Sequence, residues 1–340
     1  MILVTGGTGL VGAHLLYKLV SNGMPVRAIH RKNSNLERVK HVFSYYADNN
    51  SKALFKKIDW QCADLSDIPA LIKAYNGITE VYHCAALISF SNTDYKKMRK
   101  INIDGTANVV NLCISNNVKK LCFVSSIATI SVPLNNTPAT EVKEWTEQDK
   151  KHGYAITKYG AEMEVWRAGQ EGIPVVIVNP GVILGSGFWQ SGSGFIFDKI
   201  YNKFPFYTEG ITGFVDVDDV VNCMVLLMNS RIENERFILV SENKTYQSVF
   251  FNIADAFGKS RPKIKITPWM SSIAWRLFWF TGLFTKRNPV LTKHTARSSH
   301  TKRYFSNEKI KKTLDYTFKP IEVSVKENCK RYLRDRIGEK

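Results

Sequence analysis

Short apolar runs alternate with longer segments of helical periodicity over roughly the first 180 residues. Runs rich in Val, Ile and Leu predict β-strands, whereas apolar residues three and four positions apart predict amphipathic helices. The predicted strands are Met1–Thr5, Val26–His30, Thr79–Cys84, Lys120–Ser125 and Pro174–Asn179, and the clearest helices are Leu10–Ser21 and Tyr95–Asn116. Strand and helix units in series are typical of a parallel sheet covered by helices on both faces.

The pattern changes after Pro180. Residues Gly181–Phe214 are rich in glycine and aromatic side chains, and they predict loops around a substrate pocket. A helix at Val217–Asn229 and a strand at Arg236–Val240 are expected to rejoin the main sheet. Because 340 residues exceed the roughly 250–300 at which single cores stop growing, we expect two units. The sheet domain covers 1–180 and about 214–240, and the substrate lobe covers 181–213 and 241–340.

The first candidate site lies between the first predicted strand and the first predicted helix. Glycines at this spacing permit a tight turn, let the backbone approach a pyrophosphate and allow close packing of helix on strand. The helix N-terminus then stabilises negative charge. The residues assigned to a dinucleotide are Gly6, Thr8, Gly9, Leu10, Val11 and Gly12. The predicted fold class is therefore α/β, a Rossmann-type doubly wound parallel sheet with a smaller C-terminal α+β substrate lobe.

The end of the second strand indicates which nicotinamide cofactor is bound. An acidic residue there holds the adenosine ribose 2′-hydroxyl, whereas a basic residue accommodates a 2′-phosphate. The sequence reads Ile29-His30-Arg31-Lys32, without Asp or Glu. NADP(H) is therefore favoured over NAD(H), with Arg31 as the main phosphate contact and Lys32 and Arg38 as secondary candidates. The alternative is that these cations are surface charges of a basic protein.

A second candidate site combines a serine with a tyrosine and a lysine. Ser125-Ser126 ends a predicted strand, and Tyr154 and Lys158 follow on a predicted helix. Residues four apart share a helix face, so a fixed ammonium can sit beside the phenol. The pKa of a phenol is about 10 when unperturbed, and a neighbouring cation brings it nearer the working pH. This group predicts acid-base catalysis.

The order of these motifs resembles that of the extended short-chain dehydrogenases/reductases between positions 5 and 219. The matching pieces are Gly6/Gly9/Gly12, Asp64-Leu65, His83-Cys84-Ala85-Ala86, Asn102-Ile103-Asp104-Gly105-Thr106, Ser125-Ser126, Tyr154/Lys158, Asn179-Pro180-Gly181-Val182 and Phe214-Val215-Asp216-Val217-Asp218-Asp219. The resemblance implies that Ser126 orients the substrate oxygen, Tyr154 transfers the proton, and Lys158 holds the nicotinamide ribose while tuning Tyr154. It also implies further cofactor contacts at Asp64 and Leu65 beside the adenine, at Ala85 and Ala86 in the groove, and at Pro180 and Val182 near the nicotinamide.

Motif residues that this sequence lacks indicate its branch within that family. Sugar-nucleotide dehydratases carry acidic residues just after the catalytic Ser or Thr, whereas this chain has Ile127-Ala128-Thr129. Many epimerases place an Arg before the Phe-x-x-Val-Asp-Asp stretch, whereas Thr212-Gly213 precede Phe214 here. The chain is more similar to the branch of dihydroflavonol reductases and 3β-hydroxysteroid dehydrogenases, which act on bulky apolar substrates. Two aromatic groups, Phe188-Trp189 and Phe204, Phe206 and Tyr207, fit such a pocket or serve as ordinary core residues.

The sequence thus predicts an NADP(H)-dependent oxidoreductase that interconverts a ketone and a secondary alcohol on a hydrophobic small molecule. The alternative enzyme is a nucleotide-sugar epimerase, which uses the same catalytic group. A further alternative is a cofactor-sensing regulator or nucleic-acid-binding protein, suggested by sixteen Lys and Arg against six acids after Thr285. Nucleic acid is the least favoured partner. A regulator or nucleic-acid-binding protein needs no intact catalytic group, whereas Ser126, Tyr154 and Lys158 are all present here.

No metal site is predicted. The six cysteines lie far apart and are interpreted as small buried side chains in a reducing compartment. His83 is interpreted as structural, because no second ligand at metal spacing accompanies it. We expect neither a signal peptide nor a membrane-spanning helix, and hence a cytoplasmic protein.

The segment Trp269–Phe284 adds a membrane hypothesis. Trp269, Ile273, Leu277 and Phe280 follow near-helical spacing, while Trp275, Phe278 and Trp279 occupy other faces. A helix apolar nearly all round must be buried by protein or by lipid, and about sixteen residues are too few to cross a bilayer. One interpretation packs it over the pocket or in a homodimer contact. The other places 269–284 and the basic C-terminal region at the inner face of a membrane.

Overall fold

The computed structural model describes residues 1–47, 49–133, 135, 137–142, 145, 153–285 and 292–338. The strands are β1 (Ile2–Thr5), β2 (Val26–His30), β3 (Asp59–Cys62), β4 (Glu80–His83), β5 (Lys120–Val124), β6 (Val175–Pro180), β7 (Val182–Leu184), β8 (Phe206–Tyr207), β9 (Ile211–Asp216), β10 (Glu235–Leu239), β11 (Glu242–Thr245) and β12 (Ile264–Lys265). The helices are α1 (Leu10–Ser21), α2 (Leu36–Ser44), α3 (Ser51–Lys56), α4 (Ile68–Tyr75), α5 (Tyr95–Arg99), α6 (Gly105–Ser115), α7 (Gly153–Gln170), α8 (Gly194–Tyr201), α9 (Val217–Asn229), α10 (Tyr246–Ala256), α11 (Pro268–Thr285), α12 (Lys293–Ser298), α13 (Glu308–Leu314) and α14 (Ile321–Gly338). Short 3-10 turns lie at Asn92–Asp94 and Ile127–Thr129, and a π-helical turn lies at Lys100–Asp104.

The main sheet has seven parallel strands in the order β10-β6-β5-β4-β1-β2-β3. The chain starts at the centre with β1, moves outward through β2 and β3, and then crosses to β4 on the other side. Every residue of β5 and β6 is buried, as expected for strands covered by helices on both faces. The reversal between β1 and β4 opens a crevice at the carboxyl ends of these strands, which is the usual ligand position in such sheets. This arrangement confirms the predicted doubly wound α/β fold.

A smaller unit packs beside the main sheet. Its three-stranded sheet has the order β11-β9-β7, with β7 parallel and β11 antiparallel to β9. Aromatic and aliphatic side chains of α8, α10 and α14 form a second core with this sheet, including Phe197, Phe214, Ile253 and Tyr332. The lobe is not separate throughout, because Ile310 and Phe318 from the C-terminal segment pack into the core of the main sheet.

Four local features of the structure were not expected from the sequence. Strand β3, an edge strand with the sequence Asp-Trp-Gln-Cys, lacks the apolar run that marks the central strands. The helix predicted at Tyr95–Asn116 is divided by the π-helical turn into α5 and α6. The segment predicted as pocket loops, Gly181–Phe214, contains β7, α8, β8 and most of β9. Cys62 is exposed rather than buried.

The Asp216–Asp219 stretch fastens the C-terminal segment to the sheet. Asp216 caps α9 by accepting a hydrogen bond from the backbone N–H of Asp218 at 2.8 Å. The Lys319 ammonium lies 3.4 Å from carboxylate oxygens of both Asp216 and Asp218, and the Lys319 backbone N–H donates to Asp219. Part of the basic tail is therefore neutralised within the protein.

Among the residues that the structure describes, no helix combines the length and the apolar character needed to cross a bilayer. Those residues also contain no group of three or more His, Cys, Asp or Glu side chains placed to hold a metal ion.

Candidate active site

A cleft of about 230 Å³ lies at the carboxyl ends of the central strands of the main sheet. It is lined by Gly6, Thr8, Gly9, Ile29, His30, Arg31, Ser34, Ala63, Asp64, Leu65, Cys84, Ala85, Ala86, Leu87 and Ile101. Eight of the predicted cofactor residues are thus brought together: Gly6, Thr8, Gly9, Arg31, Asp64, Leu65, Ala85 and Ala86.

The glycine loop has the backbone shape that a dinucleotide requires. Gly6 has a φ of +69°, and a Cβ there would lie 2.6 Å from the backbone nitrogen of Ala85. A Cβ at Gly12 would lie 2.2 Å from the carbonyl oxygen of Gly6, so this glycine serves helix packing. Gly9, the N-cap of α1, lines the cleft and makes no side-chain hydrogen bond to the N–H groups of the first helical turn. These features fit a pyrophosphate, which the N–H groups and the helix dipole would hold.

The structure separates the three cations proposed for the 2′-phosphate. Arg31 lines the cleft at the end of β2, next to Ser34, whose hydroxyl accepts a hydrogen bond from the Arg31 backbone N–H at 3.1 Å. Lys32 is exposed and does not line the cleft. Arg38 lies on α2 with its guanidinium 5.4 Å from the ring centroid of Phe188, also outside the lining. Ser34 was not predicted, because a lone serine in a loop carries no sequence signal.

The other predicted cofactor residues occupy different positions. Leu10 and Val11 pack against the main core from the first turn of α1. Pro180 is buried at the end of β6, and Val182 is partly buried in β7, so neither lines the cleft described above. Asp64 does line it, and hydrogen bonds from the backbone and hydroxyl of Ser66 lower the pKa of its carboxyl group.

The side chains predicted to be catalytic lie where β5 ends and α7 begins. Ser126 follows β5 and caps the 3-10 turn by accepting from the Ala128 N–H at 3.1 Å. Tyr154 lies in the first turn of α7 and is buried, and its phenol hydrogen-bonds with the Ser126 side chain. Burial raises the pKa of Tyr154 to about 12, while the Ser126 hydrogen bond acts in the opposite direction. A phenol pKa lowered by the lysine was expected, but in the structure burial dominates.

Lys158 is buried one helical turn after Tyr154. Its ammonium donates to the carbonyl oxygen of Val124 at 2.7 Å and lies 4.1 Å from the ring centroid of Phe123. Burial lowers the pKa of Lys158 to about 7, while the charge of Glu162 raises it.

A buried polar group behind Lys158 was missed at the sequence level. The Glu162 carboxylate accepts hydrogen bonds from Asn179 Nδ2 at 2.6 Å and Thr129 Oγ1 at 2.9 Å, and Arg236 lies 3.7 Å away. The spacing of four residues between Lys158 and Glu162 was the available signal, because it places both side chains on one face of α7. Glu162 thereby supplies the negative charge that helps Lys158 keep its proton.

His83 is held within the core. Its ring nitrogens hydrogen-bond with Thr5 at 2.6 Å and Thr106 at 2.9 Å, and the ring stacks on Phe123. Burial lowers the pKa of His83 to about 3, so the ring is neutral at physiological pH. These contacts agree with the structural role expected for it.

The surface next to Tyr154 is apolar. The Phe90 ring centroid lies 5.8 Å from that of Tyr154, and the neighbouring Ile88 is also exposed. The aromatic pair predicted for the pocket lies elsewhere. Phe188 is buried in the main core, and Trp189 packs on Tyr332 of α14, so both are core residues.

The second predicted aromatic group packs within the smaller unit. Phe204 and Phe206 form an edge-to-face pair, and Tyr207 contacts Phe251 of α10. The short strand β8 that carries Phe206 and Tyr207 pairs with β12, just before α11.

Comparisons with known proteins agree with this geometry. A sequence model of the "NAD dependent epimerase/dehydratase family" matches residues 2–240. Sterol demethylase protein B of Methylococcus capsulatus is 27% identical over 270 residues, which cover 78% of this chain and 77% of that protein. Dihydroflavonol 4-reductase of Dianthus caryophyllus is 26% identical over 250 residues, covering 70% and 68% of the two chains.

Solved structures share the whole fold. The protein gox2253 superposes with a TM-score of 0.81 and 26% identity over 98% of each chain. UDP-glucose 4-epimerase of Thermotoga maritima superposes with a TM-score of 0.75 and 19% identity over 98% of this chain and 99% of its own, a likeness of fold alone. The family match, the cleft and the Ser126, Tyr154 and Lys158 arrangement lead to one conclusion. The chain belongs to the NAD-dependent epimerase/dehydratase family of extended short-chain dehydrogenases/reductases, and it is an NAD(P)-dependent oxidoreductase.

Proposed function

We propose that the protein uses NADP(H) to interconvert a ketone and a secondary alcohol on a hydrophobic, phosphate-free small molecule. The observation that carries this proposal is the buried Tyr154 phenol, hydrogen-bonded to Ser126 and flanked by the exposed ring of Phe90. An apolar ring beside the proton donor suits a polycyclic substrate better than a sugar diphosphate. The names of the two relatives refer to a sterol and a dihydroflavonol, both of which are polycyclic.

Each side chain has a distinct part in the reaction. Hydride would come from, or pass to, a nicotinamide held in the cleft, at the carbon that bears the substrate oxygen. Ser126 donates a hydrogen bond that fixes the substrate oxygen, and Tyr154 gives that oxygen its proton as the new C–H bond forms. Lys158 would hold the nicotinamide ribose, so that the reacting carbon stays close to the substrate. Because the pKa of Tyr154 is raised to about 12, the phenol keeps its proton at neutral pH and is prepared to act as an acid in the reduction.

The preference for NADP(H) is supported by the charge at the end of β2. Arg31 and the Ser34 hydroxyl line the cleft at the position where the adenosine ribose is expected. No acidic residue follows β2 to hold a free 2′-hydroxyl. A guanidinium and a hydroxyl are both suited to a phosphate.

The decisive experiment is a screen of NADPH oxidation with polycyclic ketones, steroid-like ketones, short-chain ketones and nucleotide sugars. Turnover of polycyclic ketones, with no reaction of nucleotide sugars, is the expected result. Isomerisation of a nucleotide sugar by protein that retains oxidised cofactor, without net NADPH consumption, would assign an epimerase instead. Salt-sensitive binding of nucleic acid without any reductase activity would assign a regulator.

A further inference from the structure

Helix α11 turns its two serines towards the protein. Pro268, Ser271, Ser272 and Trp275 line a cavity of about 250 Å³ between α11 and α12. Ser271 is buried, and its hydroxyl hydrogen-bonds with Nε2 of His300 at 2.7 Å. The inward face of this helix therefore contains serines and a proline beside a single tryptophan.

The outward face of the same helix is apolar. Trp269, Ile273 and Leu277 are 66%, 51% and 62% exposed, and their spacing of four residues makes one stripe along α11. A helix at a water surface normally buries its apolar stripe and exposes its serines. Phe278, Trp279 and Phe280, which continue the segment, lie outside the side chains that the structure describes. The stripe, formed by Trp269, Ile273 and Leu277, is thus arranged for an apolar partner.

The segment of the chain that carries the stripe has an excess of positive charge, although Arg261 and Lys265 within it pair with Asp255 and Glu209. Residues 256–307 contain eleven Lys and Arg and no Asp or Glu. Among them, Lys293 and Arg297 are exposed on α12 and line the same cavity as Trp275. Arg276 is exposed beside Leu277. An apolar stripe on α11, with exposed cations on the adjacent α12, matches the interface of an anionic bilayer, where acyl chains lie below phosphate groups.

The charge also argues against a second copy of the chain as the partner. In a twofold contact, the same surface patch of each copy faces the other. The acid-free segment of one copy would then oppose the acid-free segment of its partner, and like charges directly opposed disfavour association. An anionic lipid surface supplies the complementary charge.

We propose that the stripe on α11 and the cations of α12 form a docking surface for a bilayer containing anionic phospholipid. Docking lays α11 in the plane of the interface, with Trp269, Ile273 and Leu277 among the acyl chains and Lys293 and Arg297 at the phosphates.

The docking surface lies next to the catalytic group. His294 of α12 stacks on Phe90 at a centroid distance of 6.0 Å, and Phe90 in turn contacts Tyr154. A hydrophobic ketone dissolved in the bilayer therefore reaches the substrate site beside Phe90 and Tyr154 without crossing water. This consequence rests on the proposed function, whereas the docking itself does not.

Flotation with vesicles tests docking without any substrate. The protein is mixed with vesicles of phosphatidylcholine and phosphatidylserine, or of phosphatidylcholine alone. We expect the wild type to float with the anionic vesicles at low salt, and to lose most of this binding without phosphatidylserine or at about 0.5 M salt. Because each stripe side chain contributes roughly tenfold to partitioning, the triple variant Trp269→Ser/Ile273→Ser/Leu277→Ser should bind about a thousandfold more weakly.

Matched control variants distinguish docking through this surface from nonspecific adsorption of exposed apolar side chains to the vesicles. Ile72, Val323 and Ile337 are comparably exposed on other helices, and their triple change to Ser should leave flotation unaltered. Lys293→Gln/Arg297→Gln should weaken binding to anionic vesicles, whereas Lys52→Gln/Lys56→Gln on α3 should not. Circular dichroism and NADPH binding verify that each variant is folded.

Three results would overturn the proposal. The first is a wild type that stays in the soluble fraction at low salt, and the second is an equal loss in the stripe variant and its control. The third is a lipid-free dimer that the stripe variant converts to a monomer, which would assign the surface to a second copy. Since no substrate is present, failure of the reductase screen leaves each of these readouts unaffected.

Discussion

Replacing Arg31 should change cofactor selectivity more than any other single change in the cleft. The guanidinium lines the cleft beside Ser34, and its charge reaches Asp64, whose carboxyl pKa it helps to lower. Losing a charge-assisted hydrogen bond to phosphate costs about 1.5–3 kcal/mol. Because Arg31 is exposed, a new carboxylate near the phosphate adds only about 1 kcal/mol of repulsion. We therefore expect Arg31→Asp to weaken NADPH binding by roughly 2–4 kcal/mol, or about 30- to 1000-fold.

Binding of NADH should change little in the same variant. NADH carries no 2′-phosphate, and an aspartate at this position can accept a hydrogen bond from the ribose 2′-hydroxyl. Arg31→Gln removes the cation without placing a second carboxylate near Asp64. Its loss of NADPH affinity should therefore lie at the lower end of the range expected for Arg31→Asp. Calorimetric titration of the wild type and both variants with NADPH and with NADH measures these affinities directly.

Lys32→Asp is the matched control for the charge change. Lys32 is adjacent in sequence and exposed, but it does not line the cleft. Its replacement should affect NADPH only through general electrostatics, by less than about 1 kcal/mol at ordinary salt. If Arg31→Asp weakened NADPH and NADH equally, or if Lys32→Asp matched its effect, Arg31 would not be the phosphate contact.

Two further predictions concern the catalytic tyrosine and a buried histidine. Tyr154→Phe should retain cofactor affinity while turnover falls by roughly 10²–10⁴-fold, the range for loss of a positioned acid. The control Tyr159→Phe, on the same helix, should retain activity. Unchanged turnover in Tyr154→Phe would remove this phenol from the mechanism. Burial lowers the pKa of His83 from 6.5 to about 3, so the unfolded chain binds a proton below pH 6.5 that the folded chain does not. The free energy of unfolding should therefore fall by about 2 kcal/mol per buried imidazole between pH 6.5 and 5. In urea titrations between pH 6.5 and 5, the free energy of unfolding of His83→Gln should therefore fall by about 2 kcal/mol less than that of the wild type. An equal fall in both proteins would contradict the assignment of His83 as a buried, neutral imidazole.

The sequence predicted the central strands well, because they are buried on both faces and read as continuous apolar runs. Strand β5 and strand β6 are examples, since all their residues are buried. Edge strand β3 could not be found in this way, because its sequence Asp59-Trp60-Gln61-Cys62 meets a partner strand on one side only. The short elements within Gly181–Phe214 were missed because their stability comes from packing on α10 and α14 rather than from local pattern.

The candidate site shows the same division between local and tertiary information. The glycine loop follows from its spacing between a strand and a helix, since the positive φ of Gly6 and the close approach of Gly12 to Gly6 are local properties. The close approach of Gly6 to the backbone of Ala85 is a tertiary contact. Which of Arg31, Lys32 and Arg38 enters the cleft depends on side-chain direction at the end of β2 and along α2. Phe188 and Trp189 had the composition of a pocket, but they pack against the core and α14. Residue type therefore identified candidates, and tertiary packing selected among them.

Burial has opposite effects on the pKa values of the two ionisable groups of the predicted catalytic pair. It disfavours the charged form of each, so the pKa of Tyr154 rises to about 12 while that of Lys158 falls to about 7. An isolated lysine in this position would lose its proton readily near neutral pH, and with it the charge needed to hold a ribose hydroxyl. Glu162 opposes that loss, and it is itself held by Asn179 and by Arg236. The Tyr-x-x-x-Lys spacing thus supplies the reacting groups, whereas the carboxylate one turn further along α7 helps to keep the lysine charged.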